Sequence, residues 1–453
     1  MSPDRLGHDI DRLIGRAHEL ADQGQHTSAL DLLDSRSAGA GDVEIGMVLT
    51  AKADICVGAH RFGEAVEHSR QAIDLLAPID PNEAVAARMT MADALSDLGN
   101  LTDAEATYRA ALEHYLSAAD LAGQARATME LGTIASRRGD HAAADLWYTD
   151  AQRLYLEAGD ITTARITLGL NWATVLRYLG RVPEAIERLD VAERHARATG
   201  VAVVAAHCVY SKACIAISSG DLAAGEAGIR TALDAYRSLN LPTEEADCVD
   251  RLGNVAAYRG EYESAVAHHQ TAVEIYSRHG LPVQRAGAQI SLADCLTGME
   301  RHAEAVILAR QAAADLDRHG HATAACHGLS VVVAASQHLG RMNDAQAALE
   351  RYEQLAAQRA VPDPWLDIAR GRVAAGQGRA DEAERFFEVA VQHGSDQHDA
   401  IAVREATAEA ADAFAAAGMG SFAGRWAQRA ADLFIAAGSP RRAVRYRSSC
   451  PAP

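Results

Sequence analysis

Four side chains of this sequence could form an acid–base group: His207, Tyr210, Asp250 and Arg251. A histidine and an aspartate within hydrogen-bonding reach can move a proton, a tyrosine can donate one, and an arginine can hold the charge that develops. The established catalytic signatures are absent. There is no G-x-S-x-G turn, no H-E-x-x-H helix, no phosphate loop with Gly-Lys-Ser/Thr and no dinucleotide fingerprint. The glycine-rich run Gly418-Met419-Gly420-Ser421-Phe422-Ala423-Gly424 has the wrong spacing and no strand before it, so it reads as a turn. Among 19 histidines the densest groups are His268-His269 and His319-Gly320-His321. Neighbours on a helix point about 100° apart and no acid or cysteine stands three or four positions after these histidines, so the expectation is no metal site. His302 and His338 likewise read as surface or inter-unit residues.

A larger set suits recognition: Arg126, Glu130, Arg137, Asn171, Arg177, Tyr178, His207, Tyr210, Ser211, Asp247, Asp250, Arg251, Asn254 and Tyr258. Arginine offers forked hydrogen bonds to carboxylates and tyrosine offers rigid aromatic area. Some repeated element must gather residues spread from 126 to 258 onto one surface.

The composition narrows what that element is. Of 453 residues, 49% are apolar but only 5% aromatic, so the core must be built from small aliphatic side chains. Eleven prolines and 35 glycines leave room for helices punctuated by turns. The balance of 43 basic against 61 acidic residues gives −18, which repels phosphate backbones and anionic membranes and predicts neither nucleic acid nor membrane as a partner. Only Lys52 and Lys212 are lysines, a bias expected of a high-GC genome. Seven cysteines without a C-x-x-C pair suggest free buried thiols in a reducing compartment. The opening MSPDRLGHDIDRLIG lacks an apolar h-region and no long apolar run follows, so the expected location is cytoplasmic.

Self-similarity supplies the element. LGNVAAYRGEYESAVAHHQTAVEIY (252–276) aligns with LGTIASRRGDHAAADLWYTDAQRLY (131–155). An anchor recurs at Gly24, His60, Gly99, Gly139, Gly180, Gly220, Gly260, Glu300, Gly340, Gly378 and Gly418, at 40 or 41 residues from Gly99 to Gly340. Five positions on, every unit has alanine except for Gly225; twelve on, alanine again dominates, with Arg36 and Tyr352 as exceptions. Such columns let neighbouring helices approach closely. An aromatic often follows at sixteen, as in Tyr115, Tyr155, Tyr236, Tyr276 and Phe434. Each unit reads as two helices joined at the anchor, with a second turn between units, as at Asn240-Leu241-Pro242.

These features resemble the tetratricopeptide repeat family, in a long-unit variant similar to arrays in large bacterial regulators and some animal adaptors. About six extra residues per unit and the frequent absence of the usual proline depart from the commonest pattern. The resemblance implies an all-α, right-handed superhelical solenoid of about eleven antiparallel helix hairpins, with the first helix of each lining the concave wall. The expected organisation is one array over 1–453, with units at roughly 8–40, 44–80, 83–120, 123–159, 164–200, 204–240, 244–280, 284–320, 324–360, 365–394 and 400–437. A bend is expected at 356–367, where Pro362 and Pro364 interrupt the helices, and 438–453 should form a capping helix and frayed tail.

Positions 13, 10, 9, 6, 3 and 2 before each anchor share one face of the first helix. Four consecutive units, anchored at 139, 180, 220 and 260, place the recognition residues there, whereas the unit at Glu300, with Gly287, Ile290, Ser291 and Asp294, is blander. Asn254 sits where family members that clamp a peptide carboxylate carry asparagine, although the companion lysines are missing. Asp247 and Asp250 could instead pair with arginines of the next unit. The leading expectation is a non-enzymatic scaffold or adaptor that binds a protein or peptide along an open groove, without a single buried pocket and without a cofactor. The alternatives are a ligand- or peptide-gated regulatory sensor acting through another protein, and an enzyme using the four acid–base residues. Oligomeric state is left open.

Overall fold

A computed structural model describes residues 3–22, 24–36, 41–59, 61–159, 162, 166–357 and 362–448. The anchor His60, part of the expected bend (358–361) and the end of the tail with Cys450 lie outside the described residues. Among those described there are twenty-three helices and no strand, in keeping with the all-α solenoid expected.

The sequence explains each hairpin locally. At Gly139 the chain takes φ 82°, which glycine adopts without a Cβ penalty. The Asp140 N–H then donates back to the Ala135 carbonyl at 2.9 Å, closing the first helix. The Asp140 carboxylate accepts from the Ala143 N–H at 3.0 Å and so caps the second helix. Glu300 takes the anchor place at φ 64° and Asn240 the inter-unit turn at φ 54°.

Packing follows the small-residue columns. Ala104, Ala144, Ala185, Ala265 and Ala305 are wholly buried, as are Ala111, Ala151, Ala192, Ala272 and Ala312. Where the column carries Gly225, a Cβ would lie 2.4 Å from the Ile217 side chain, so glycine is needed for the approach. The closing aromatics Tyr155, Tyr236, Tyr276 and Phe434 are all buried.

The chain divides into two compact units, Met1–Ala164 and Arg165–Pro453. The first holds α1 (Pro3–Asp22), α2 (His26–Arg36), α3 (Asp42–Gly58), α4 (Phe62–Leu76), α5 (Pro81–Asp97), α6 (Leu101–Ser117), α7 (Leu121–Arg137) and α8 (His141–Glu157). The second holds α9 (Thr167–Tyr178), α10 (Val182–Ala198), α11 (Ala202–Ser218), α12 (Leu222–Ser238), α13 (Pro242–Tyr258), α14 (Tyr262–Arg278), α15 (Pro282–Gly298) and α16 (His302–Arg318). It continues through α17 (Ala322–His338), α18 (Met342–Ala356), α19 (Pro364–Gly376), α20 (Ala380–Asp396), α21 (Ala400–Ala416), α22 (Gly420–Ala436) and α23 (Pro440–Ser448). The division falls at 164/165, and the stretch 356–367, where a bend was expected, lies within the second unit. Across that second stretch the helices are tied together: Asp363 caps α19 and accepts the Tyr352 hydroxyl at 2.9 Å.

Within the second unit the last helices return to earlier turns. A Cβ at Gly180 would lie 2.2 Å from the His398 ring, one at Gly220 would lie 3.2 Å from the Arg404 guanidinium, and one at Gly260 would lie 3.0 Å from Arg442 Cγ. The Arg441 guanidinium stands 3.8 Å from the Glu261 carboxylate. The end of the chain is therefore docked: Tyr446 is buried and stacks on Phe434 at 5.7 Å.

Candidate functional site

That return gives the expected groove a partly enclosed pocket. Because α21 returns to the α11–α12 turn and α23 to the α13–α14 turn, the later first helices of the second unit surround a cavity of about 280 Å³. This is close to the lower end of the range for small-ligand sites. Its wall is drawn from α13, α15, α17, α19, α21 and α23, with Tyr262 from α14.

Two kinds of charge face this cavity. The first kind is already neutralised. Arg372 is almost wholly buried; its Nε donates to the Glu409 carboxylate and its Nη1 to Gln337 Oε1 at 2.8 Å, while Gln337 Nε2 donates to the Ala413 carbonyl at 3.1 Å. Arg442 pairs with Glu405 at 2.8 Å and Arg445 with Asp412 at 3.1 Å. Burial would raise the Glu409 carboxyl, but the Arg372 guanidinium against it holds it below its ordinary value. Burial, reinforced by Arg372, drives His338 down to about 4, so it is neutral at pH 7.

The second kind is unsatisfied. Arg251 has no carboxylate partner among the described residues, and its buried Nε has no hydrogen-bond partner; Tyr210 stands beside it. Asp294 accepts no hydrogen bond and forms no ion pair among the described residues. Its carboxylate touches cavity solvent but is walled in by protein. That enclosure, ahead of repulsion from Glu409 and Glu405, pushes it up to about 7.

Of the fourteen residues expected from sequence, Arg251, Asn254 and Tyr258 line the cavity and the others do not. At 9, 6, 3 and 2 positions before the anchor, Arg251, Asn254, Ala257 and Tyr258 all line the cavity, and so do Ser291, Asp294, Thr297 and Gly298 one unit on. Thirteen and ten positions before it, the helix has turned toward its own hairpin partner. Asp247 accepts the Tyr276 hydroxyl, and Asp250 binds the buried His269 Nδ1 at 2.7 Å. Neither pairs with an arginine of the next unit, as the sequence reading had allowed. Of the acid–base group only Tyr210 and Arg251 are brought together, while Asp250 is held by His269 and His207 is set against the Tyr236 ring at 5.5 Å.

The remaining expected residues are engaged elsewhere. Arg126 pairs with Asp93 at 3.3 Å, and Arg137 donates to Ser96 Oγ at 2.6 Å and to Asp97 at 3.2 Å. Glu130, pushed up to about 7 by burial and by Asp93, lies in the same network. The Arg177 guanidinium stacks on Tyr178 at 3.8 Å, and Asn171 and Ser211 are half-buried. His302 and His338 stack at 4.4 Å between units. The cysteines 56, 208, 248, 295 and 326 are buried and Cys214 is half-buried.

Sequence reasoning missed Asp294, Arg372, the acids of α21 and the arginines of α23. Asp294 carried a usable signal, since it occupies the register position of Asn254 one unit later. The others carried none, because their place depends on how the unit closes.

Among the described residues no helix is long and apolar enough to cross a membrane. Residues 85–113, covering most of α5 and of α6, match the tetratricopeptide repeat family. No curated protein matches the sequence significantly. The chain resembles the solved structure of a Rap protein complexed with competence and sporulation factor: 15% identity, 79% of this chain, 99% of the other and TM-score 0.59. It also resembles NprR in complex with its cognate peptide NprX: 11% identity, 86% of this chain, 98% of the other and TM-score 0.52. At these identities the likeness is one of fold. With its anchor turns, alanine columns and stacked hairpins, the chain has a fold like that of tetratricopeptide-repeat arrays, and one of its repeats matches that family.

Proposed function

We propose that this chain is a non-enzymatic binding protein that holds a peptide by one end in the cavity of its second unit, and that it serves regulation or complex assembly. One observation carries the reading: Arg251 faces the cavity without a carboxylate of its own, next to Asn254 on the same helix face. A guanidinium in a confined space is poised for a forked bond to a carboxylate, and an asparagine amide can both donate to and accept from a peptide backbone. At about 280 Å³ the cavity suits a residue or two, so the rest of a peptide would lie outside it. The fold shared with NprR bound to its cognate peptide adds support.

Affinity selection of a random short-peptide pool on the full-length protein tests this. Peptides retained by the wild type should be lost from Arg251→Glu. Failure to retain peptides, or equal retention by the variant, would sink the reading.

A second reading, peptide-gated regulation through another protein, is favoured by the origin of the wall: α13 and α15 come from the middle of the unit and α21 and α23 from its end. A ligand touching both sides would favour the closed arrangement. Small-angle scattering with and without retained peptide should then show compaction.

A further inference from the structure

The charge inventory of the cavity specifies the chemistry of its ligand. Four arginines and four acids line it. Six of these eight form the pairs Arg372–Glu409, Arg442–Glu405 and Arg445–Asp412, and thereby neutralise one another. The two that remain have opposite signs: Arg251 on α13 and Asp294 on α15. Asp294 is in register with Asn254, one turn beyond Arg251 along the helix direction. The two belong to one small space, since both line the same cavity, yet no ion pair joins them among the described residues.

Resting on the peptide-binding reading above, we propose that the ligand carries a cation as well as a carboxylate: an ammonium or guanidinium received by Asp294, with the carboxylate held by Arg251. An unpaired acid in a confined cavity, facing Glu405 and Glu409, is costly to leave ionised, and a cation brought by the ligand reduces that cost. A purely acidic peptide would satisfy Arg251 and meet repulsion from Asp294, so the pair selects against it.

The surroundings of Asp294 support this. Glu405, Glu409 and Asp412 of α21 face it with Arg442 and Arg445 of α23, and these charges are committed to one another. Arg372 of α19 is committed to Glu409. From α13 come Arg251 and Tyr258, from α14 Tyr262 and His269, the latter bound to Asp250, and from α17 His327 and His338. Burial, with Glu409 and Glu405 adding to it, sets the Asp294 carboxyl at about 7, so it gains its charge across neutral pH. The affinity for a cationic peptide should therefore rise with pH, by about tenfold from pH 6 to pH 8.

The same peptide selection, repeated on Asp294→Asn, tests the proposal. Sequences retained by the wild type should be enriched in lysine and arginine, and the isosteric variant should lose that enrichment. A single retained lysine peptide should bind Asp294→Asn about tenfold more weakly at pH 8, with a flat pH profile. Replacing that lysine by norleucine should cost the wild type a similar factor and the variant nothing. Acetylating the peptide's α-amine in a parallel arm tells whether the cation is terminal or a side chain. If peptides are retained through Arg251 but show no preference for cations, or if Asp294→Asn keeps the preference, this inference is wrong and the peptide reading survives. If no peptide is retained, both fall.

Discussion

The inner faces of the two units use the same residue types to opposite ends. In the first, Arg126 and Arg137 of α7 reach back one unit to Asp93, Ser96 and Asp97 of α5, and Tyr108 donates to Asp93. In the second, Asp247 and Asp250 are taken by Tyr276 and His269, and Arg251 is left without a carboxylate. Glu130 and Asp294 make the contrast sharpest. Both carboxyls rise to about 7, but Glu130 is surrounded by an established network whereas Asp294 faces open volume. A perturbed carboxyl therefore marks a binding site only when its missing partner could enter from outside.

The largest test of this contrast is Arg372→Ala. It strands Glu409 and Gln337 in the cavity wall and should cost about 3–5 kcal/mol in denaturant unfolding. A loss near 1 kcal/mol would mean that the wall charges are solvated like those of the first unit. Next comes Gly253→Ala, whose new Cβ would meet the buried His269 ring at 2.6 Å. It should cost about 2 kcal/mol, whereas Gly287→Ala, with no neighbour within 4 Å, should gain a few tenths.

Glu130→Gln gives a smaller, pH-dependent effect. The folded carboxyl titrates at about 7 against an ordinary value of 4.5, so the fold binds the extra proton and wild-type stability falls as pH rises through that interval. The variant should match the wild type at pH 4 and exceed it by about 1–2 kcal/mol at pH 8, as read by thermal melts at both pH values. A constant difference would place Glu130 in solvent. The smallest effect belongs to Arg126→Ala, whose pair with Asp93 is half exposed. It should cost less than about 1 kcal/mol, and less still in high salt.

The fold was legible because it is written locally and often. Gly139 followed by Asp140, or Ala144 with Ala151, specifies a turn and a close helix approach whatever lies elsewhere, and forty-residue recurrence does the rest. The site was legible only where it shares that locality: Arg251, Asn254 and Tyr258 lie on a helical stripe that spacing defines. Arg442 and Glu405 could not be found in this way. Their pair spans one repeat, but its place in the cavity wall depends on the return of α21 and α23 to turns more than a hundred residues earlier, and no periodicity encodes that distance. The acids at 247 and 250 misled for a related reason, since helix geometry places them on the stripe's edge and only the neighbouring Tyr276 and His269 decide which way they face.

The landings of the last helices on the turns at Gly180, Gly220 and Gly260 have a consequence for how such an array can evolve. An open stack tolerates the gain or loss of a hairpin, because each one meets only its neighbours. Here His398, Arg404 and Arg442 must each arrive at one particular turn. A duplication or deletion anywhere between them would carry the far wall past its landing and erase the cavity. The second unit thus has a fixed number of repeats, held by its own circumference, and its diversity should be found in the identity of wall residues rather than in the length of the array.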